Sequence, residues 1–349
     1  MSDVSDGKSL TYREAGVDID EGNLAVRSLR PFVESTRTPR VVGGVGAFAG
    51  LFAYPRPDSD TLLVASMDGV GTKLRLSAHL GRWKDAGFDI VSHCVSDILV
   101  MGARPLFVLD YVGMGKLHAS VVADLVEGMA EACRPCGCAL LGGETAEMPG
   151  VYPDGEADVV GTILGEVSRS RLIDGRRIEV GDRLLGLSSI GLHTNGYSLA
   201  RKILGSDERP SVFAERPDPA GATWGDLLTA RHRLYFPLVE PLLATDAIRG
   251  MAHITGGGLT ENIPRILPAG TRAAIDRSAW PVPPVFRHLV ERGRLDPDEA
   301  HRVLNMGIGF VLVVGSQDLG QVQAVLRDAG EVAHEIGRIE TGDPSVRWI

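Results

Sequence analysis

Six consecutive residues, Asp68-Gly69-Val70-Gly71-Thr72-Lys73, bring together a carboxylate, two glycines, a hydroxyl and an ammonium. That mixture suits a metal-bound polyphosphate. Glycines let backbone N–H groups approach phosphate oxygens, an ammonium supplies a compact positive charge, and a carboxylate can hold the divalent cation that travels with a nucleotide. The spacing is not that of a GxxxxGK[ST] loop, and a strand-to-helix turn capped by Asp68 or Thr72 explains the same residues. Further acids invite comparison. Asp97 lies one helical turn after His93 among apolar neighbours, where a residue on a solvated face is the plainer alternative. Glu144 and Glu147 fall within Gly142–Gly150; two carboxylates so close need a cation or donors, unless the turn is simply solvated.

Two later loops carry other chemistry. Gly191–Gly196 presents His193 and Asn195, an imidazole and an amide suited to acid–base work or substrate hydrogen bonds, though a lone loop histidine is as readily structural. Thr255-Gly256-Gly257-Gly258 precedes a short helical stretch, and bare amides there suit a phosphate monoester. A third glycine burst, Gly43–Gly50, reads either as a hairpin turn or as a loop that orders over a ligand.

The elements that must position these residues follow from periodicity. Strands are expected over 61–67, 105–112, 158–167, 183–188, 251–254, 309–314 and 332–339. Helices are expected over 24–33, 118–133, 197–204, 259–263, 285–291 and 318–328, and helical spacing of Ile90, Val91, Cys94, Val95, Ile98 and Leu99 predicts another over 88–102. The segment 12–23 is acidic and expected to be irregular, and 206–224 is expected to be a surface excursion. Asp110 falls near the end of its strand, and the last strands and helix read as a βαβ-like unit. With 349 residues, two cores are expected, residues 1–169 and 170–349, divided near Arg169.

Composition excludes several roles. There are 36 Lys and Arg against 45 Asp and Glu, a net charge of -9, so the chain lacks the basic stripe that a nucleic acid or an anionic membrane requires. No apolar run is long enough to span a membrane and the N-terminus is polar, so a cytoplasmic protein is expected. Cys133, Cys136 and Cys138 form a C-x-x-C-x-C cluster interrupted by Pro135 and Gly137, with no histidine within it. Reduced thiols without a metal are expected there.

Taken in order, the segment 12–23, the glycine loop, DGVGTK at 68–73, GGETAEMPG at 142–150, the His193 loop and the Thr255 loop closely resemble the phosphoribosylformylglycinamidine cyclo-ligase (AIR synthetase) family, from about Ser9 to Ile339. The resemblance implies a two-domain α/β fold of the α+β kind. Its N-terminal mixed sheet would pair across a homodimer into a barrel, and its C-terminal sheet would carry packed helices. It implies ATP-driven closure of formylglycinamidine ribonucleotide (FGAM) to aminoimidazole ribonucleotide (AIR) through phosphorylation of the formyl oxygen. Magnesium would be held by Asp68, Asp97 and Glu147, with Glu144 a further candidate, and potassium is a further candidate ion. Gly43, Gly44, Gly46, Gly69, Gly71, Thr72, Lys73 and Asp110 would face ATP; His193, Asn195, Thr255, Gly256, Gly257, Gly258 and Asn262 would face FGAM. Asp68, Lys73 and His193 would act in catalysis. Ala47, Ala49, Ser96, Ile190 and Thr194 depart from the family's usual residues. Another oxygen-phosphorylating enzyme of the superfamily, or a catalytically silent nucleotide-binding regulator, stands as the alternative. Selenophosphate synthesis fits poorly because residues 1–50 hold no cysteine.

Overall fold

The computed structural model describes residues 10–44, 46–56 and 59–349; the polar N-terminus through Ser9 and Val45 of the glycine loop lie outside them. Two six-stranded sheets form the molecule among the described residues. The first contains β1 (Val41–Val42), β2 (Gly50–Ala53), β3 (Thr61–Gly69), β4 (Arg104–Met114), β5 (Ala139–Glu147) and β6 (Ala157–Ser168), in the order β1-β2-β3-β6-β4-β5. The second contains β7 (Arg183–Ser188), β8 (Ile248–His253), β9 (Thr271–Ile275), β10 (Ile308–Val314), β11 (His334–Thr341) and β12 (Val346–Trp348), in the order β12-β9-β11-β7-β10-β8. β10 and β11 both pair antiparallel with β7, which lies between them. The expected βαβ-like unit is therefore split by an intervening strand.

Helices α1 (Ile19–Ser35), α2 (Lys73–Leu80), α3 (Trp83–Leu99) and α4 (Ala119–Cys133) belong to the first half. The second half carries α5 (Tyr197–Leu204), α6 (Trp224–Leu228), α7 (Phe236–Leu243), α8 (Gly258–Asn262), α9 (Pro284–Gly293), α10 (Pro297–Val303) and α11 (Leu319–Asp328). No helix among the described residues is long and apolar enough to cross a membrane. The acidic segment expected to be irregular supplies the start of α1: Asp18 caps it by accepting from the Asp20 and Glu21 amides, and these acids favour the positive end of the helix. The excursion after α5 is also more than surface, since Val212 and Phe213 are buried.

The central helix is α3, buried along nearly its whole length. Glycines make this possible. A Cβ at Gly87 would overlap the Leu125 carbonyl and one at Gly128 would overlap the Lys84 carbonyl, so α3 and α4 meet backbone to backbone. A Cβ at Gly161 on β6 would press on Ile90 and Cys94, so α3 also lies close on the sheet. The helix is thereby wedged between the first sheet and the second half, where its polar residues meet partners from both.

Candidate active site at the seam between the halves

β3 delivers Asp68 to its C-terminal end, in register with Gly161 of β6, which is itself in register with Asp110 of β4. Asp68 accepts from the Gly69 amide at 2.7 Å and lies 2.8 Å from His93 Nε2 of α3. Asp97, one turn further along α3, is buried; its Oδ2 accepts from Ser66 Oγ at 3.1 Å and lies 3.8 Å from His93 Nε2. Asp68, His93 and Asp97 each place a potential ligand atom within 4.8 Å of the others. Burial alone would lower the His93 pKa, but the adjacent Asp68 and Asp97 carboxylates override it and carry the ring to about 9. His93 in turn brings the Asp68 carboxyl below its usual range despite partial desolvation.

From the second half come three more histidines. His253, at the end of β8, faces Asp97 Oδ1 through Nδ1 at 2.9 Å. His232, in the loop between α6 and α7, directs Nδ1 to its neighbour's Arg233 carbonyl at 2.8 Å, and its backbone N–H donates to Asp89 of α3 at 2.6 Å. His193 follows β7 at φ 62° and stacks on His232 with ring centroids 3.9 Å apart. A Cβ at Gly309 would overlap the His193 ring, so this histidine occupies space that a glycine on β10 leaves open. Among the described residues neither ring nitrogen of His193 has a hydrogen-bond partner, and burial together with neighbouring positive groups pushes its pKa well below the ordinary histidine value. Thr194 completes the join between halves: its Oγ1 lies 2.7 Å from His93 Nδ1.

Lys73 is turned inward. Its side chain is fully buried, with Nζ 2.6 Å from Asp89 and donating at 2.7 Å to the Ala230 carbonyl. A strand-to-helix turn explains this placement. α2 begins at Lys73, and its first residue folds back under the helix toward α3. Burial raises the Asp89 carboxyl even against the pull of Lys73. Thr72 contacts Ser198 Oγ through its hydroxyl at 3.1 Å, so the DGVGTK segment is fastened to the start of α5.

The substrate-side residues separate into two groups. Asn195 and Gly256 come together, since a Cβ on Gly256 would lie 3.3 Å from Asn195 Oδ1. Gly257 and Gly258 adopt positive φ. Asn262, in contrast, is buried and spends its amide on the carbonyls of Thr255, Gly256 and Gly258, shaping the loop from behind. Thr255 also directs its hydroxyl inward, toward Asn262 Oδ1.

Glu144 and Glu147 do not join Asp68 and Asp97. The segment read as a turn continues as β5 to Glu147, three strand positions from β3, roughly 14 Å at the usual strand spacing. Their registers with Tyr111 and Met114 put them on opposite faces of the sheet. Glu147 instead accepts from the Leu117 amide at 2.9 Å, and Glu144 from its neighbour's Thr145 amide. Asp110 is half-buried against Gly143, two strands from Asp68, and burial raises its carboxyl.

Sequence reasoning missed three residues here. Arg265 stacks its guanidinium 3.8 Å from the centroid of Phe48, donates to the Gly46 carbonyl at 3.2 Å and to Asn262 Oδ1 at 3.1 Å. It thereby ties the glycine loop to the Thr255 loop. That loop joins the paired strands β1 and β2, so its hairpin reading describes the backbone. A cavity of about 530 Å³ lies along it, lined by Gly43, Gly44, Gly46, Phe48, Phe52 and Met67 among others. His232 and His253 were missed because their neighbours in sequence carry no motif. The GGG that begins three residues after His253 is the only signal that could have pointed to it.

Comparison with known proteins agrees with this layout. The N-terminal domain model of AIR synthase related proteins matches residues 46–167, and the C-terminal domain model matches residues 179–349. A phosphoribosylformylglycinamidine cyclo-ligase from Desulfitobacterium hafniense is 48% identical over 344 residues, covering 97% of this chain and 99% of that protein. Among solved structures, a thiamine-monophosphate kinase from Stenotrophomonas maltophilia K279a superimposes with a TM-score of 0.62 at 19% identity, covering 91% of this chain and 94% of the other. AaThiL complexed with AMPPCP and TMP superimposes with a TM-score of 0.62 at 16% identity, covering 93% and 92%. At such identities these two likenesses speak to the fold.

Proposed function

The chain belongs to the phosphoribosylformylglycinamidine cyclo-ligase family, and from that premise we propose how its seam between halves carries out ATP-dependent closure of FGAM to AIR, the ring-forming step that gives ADP and phosphate in purine biosynthesis. The observation that carries the reading is convergence: Asp68, His93 and Asp97 from the first half meet Thr194 and His253 of the second, the residues that lead into the adjoining Asn195 and Gly256 loops.

An amide oxygen is a poor leaving group, so the formyl oxygen must first attack the γ-phosphorus of ATP. The ribosyl-bearing nitrogen then closes on the formyl carbon and phosphate departs. Such chemistry depends on positioning and on neutralising charge. The glycine loop and its cavity are assigned to the nucleotide, and AaThiL with AMPPCP offers a precedent within the fold. Arg265, at the junction of the glycine and Thr255 loops, supplies positive charge there. The amides of Gly256–Gly258 are assigned to the ribose phosphate.

Two converging carboxylates fit a hard divalent cation, so Asp68 and Asp97 would hold magnesium; when bound, it would offset charge on the triphosphate. Lys73 acts from beneath as a positioning residue, holding α2 and α3 to the second half through Asp89 and Ala230. His193, neutral and unpartnered at both nitrogens, is assigned the ring-closure proton. The outer face of the first sheet bares Phe52, Met67, Leu109 and Leu141. An apolar face of this kind fits a second copy, and a homodimer with paired N-terminal sheets is part of the proposal.

The deciding assay measures ADP and AIR together with FGAM present and absent. FGAM-dependent release of one ADP per AIR is expected. ADP release indifferent to FGAM would remove the reading in favour of another superfamily phosphorylation.

A further inference from the structure

Four of the chain's histidines, His93, His193, His232 and His253, are buried together where the halves meet. The reaction proposed above uses His193 and leaves the His232–His253 pair without a task. The hydrogen bonds of that pair fix its tautomers. His232 Nδ1 faces the Arg233 carbonyl at 2.8 Å, an oxygen that can only accept, so Nδ1 carries the hydrogen. His253 Nδ1 faces Asp97 Oδ1 at 2.9 Å, a carboxylate oxygen, so there too Nδ1 carries the hydrogen. In two neutral rings the Nε2 atoms are then both lone-pair donors to a cation, and they face each other at 3.1 Å.

Two opposed lone pairs at that distance repel unless a cation lies between them. Tetrahedral ligands with metal–nitrogen bonds of ~2.0–2.1 Å stand roughly 3.3 Å apart, close to the observed separation. The remaining contacts are those that hold metal-binding histidines in place, a carboxylate on one Nδ1 and a backbone carbonyl on the other. A third imidazole, His93, places one ring nitrogen within 4.8 Å of a ring nitrogen on each of the other two. Imidazole donors favour zinc and its transition-metal neighbours over magnesium or calcium, which take oxygen.

We propose that His232 and His253 form the core of a binding site for a zinc-class divalent cation, clamped between the two halves of the chain, with His93 as third ligand once the incoming ion has displaced its proton. The three ligands come from α3, the α6–α7 loop and the end of β8, so the ion ties the first half to the second. Asp97 serves both centres: Oδ1 orients His253, while Oδ2 faces His93 on the side of Asp68. None of the three ligands belongs to the Cys133–Cys138 cluster, which lies at the C-terminal end of α4 and just beyond it.

The test uses the full-length purified protein, stripped with EDTA and titrated with Zn²⁺ and, separately, Co²⁺. One Zn²⁺ bound per chain is expected, with visible absorption bands of low-coordinate Co²⁺ in the cobalt form. His232→Gln and His253→Gln should each weaken binding by at least ~10-fold, and Asp97→Asn by about 10- to 100-fold through loss of orientation. Cys136→Ser should leave stoichiometry unchanged. X-ray absorption of the zinc-loaded wild type needs no variant and should report imidazole nitrogen ligands. Sulfur ligation, absence of binding, or equal binding by His232→Gln would each overturn the proposal. In the last two cases the face-to-face pair is held by a proton shared between the rings.

Discussion

Two pairs of acids of similar promise in sequence meet opposite fates. Asp68 and Asp97 converge because one ends a strand and the other lies on the helix packed across it, with His93 between them. Glu144 and Glu147 share one strand, and three-residue spacing there sends their side chains to opposite faces. A strand separates acids that a turn would have gathered. Carboxylates build a charged centre when they arrive from different elements, and the distinction divides the molecule into a wired seam and an open strand.

The largest test of that division is Asp97→Asn. It should reduce turnover by about 100-fold, because the change strips one carboxylate from the proposed magnesium site and leaves His253 a neutral amide oxygen in place of a charged acceptor. Steady-state kinetics at varied magnesium would check it. A rate within threefold of wild type at limiting magnesium would place the metal elsewhere, with the β5 acids the next candidates.

Lys73→Met probes the same seam through stability. It leaves Asp89 buried without its ion-pair partner, and breaking such a pair costs about 3–5 kcal/mol. Thermal unfolding should show a large fall in Tm, with partial recovery in the Lys73→Met, Asp89→Leu double variant. If Lys73 instead reached ATP, the single variant would retain its Tm and lose nucleotide affinity.

The seam should also carry the pH dependence of stability in metal-free buffer. His93 has a folded pKa of about 9, above the 6.5 of the unfolded chain. Its contribution is therefore full below pH 6.5 and lost as pH rises through 9. His193 and His232 are lowered, so their effect has the opposite sense: the unfolded chain takes up protons first, and stability falls as pH drops below 6.5. Stability should pass through a maximum near neutrality, read from denaturant midpoints across pH. His93→Gln should flatten the alkaline limb alone; an unchanged limb would show that the His93 ring stays neutral between its two carboxylates.

Much of the scaffold was legible because alternation and helical spacing report burial directly. β7 and α5 fall on the residues expected, and α3 was found from its apolar stripe. The site was legible only where loops carry it: DGVGTK, the His193 loop and the triple glycine. Residues that converge by tertiary packing gave no such signal. Arg265 sits in an unremarked Ile-Pro-Arg-Ile stretch, and His232 gains its surroundings only when the α6–α7 loop meets α3. Lys73 misled for a related reason. Its type suits phosphate, but its position at the first residue of α2 turns it inward to Asp89.

The smallest expected effect belongs to the open strand. Glu144 accepts from the amide next to it, while Glu147 holds the Leu117 amide at the end of the loop before α4. Glu144→Gln keeps an oxygen able to accept from Thr145, so stability should change by no more than about 0.5 kcal/mol, as for other surface substitutions. Glu147→Gln exchanges a charge-assisted hydrogen bond for a neutral one and should cost about 1 kcal/mol. Neither should alter turnover at saturating magnesium more than about threefold, since neither acid reaches the seam. The informative measurement is the magnesium dependence of each variant as protein concentration is varied. A loss of magnesium affinity that appears only in the associated state would bring β5 back to the metal through the bared face of the sheet, and would redraw the division between seam and strand as one between chains.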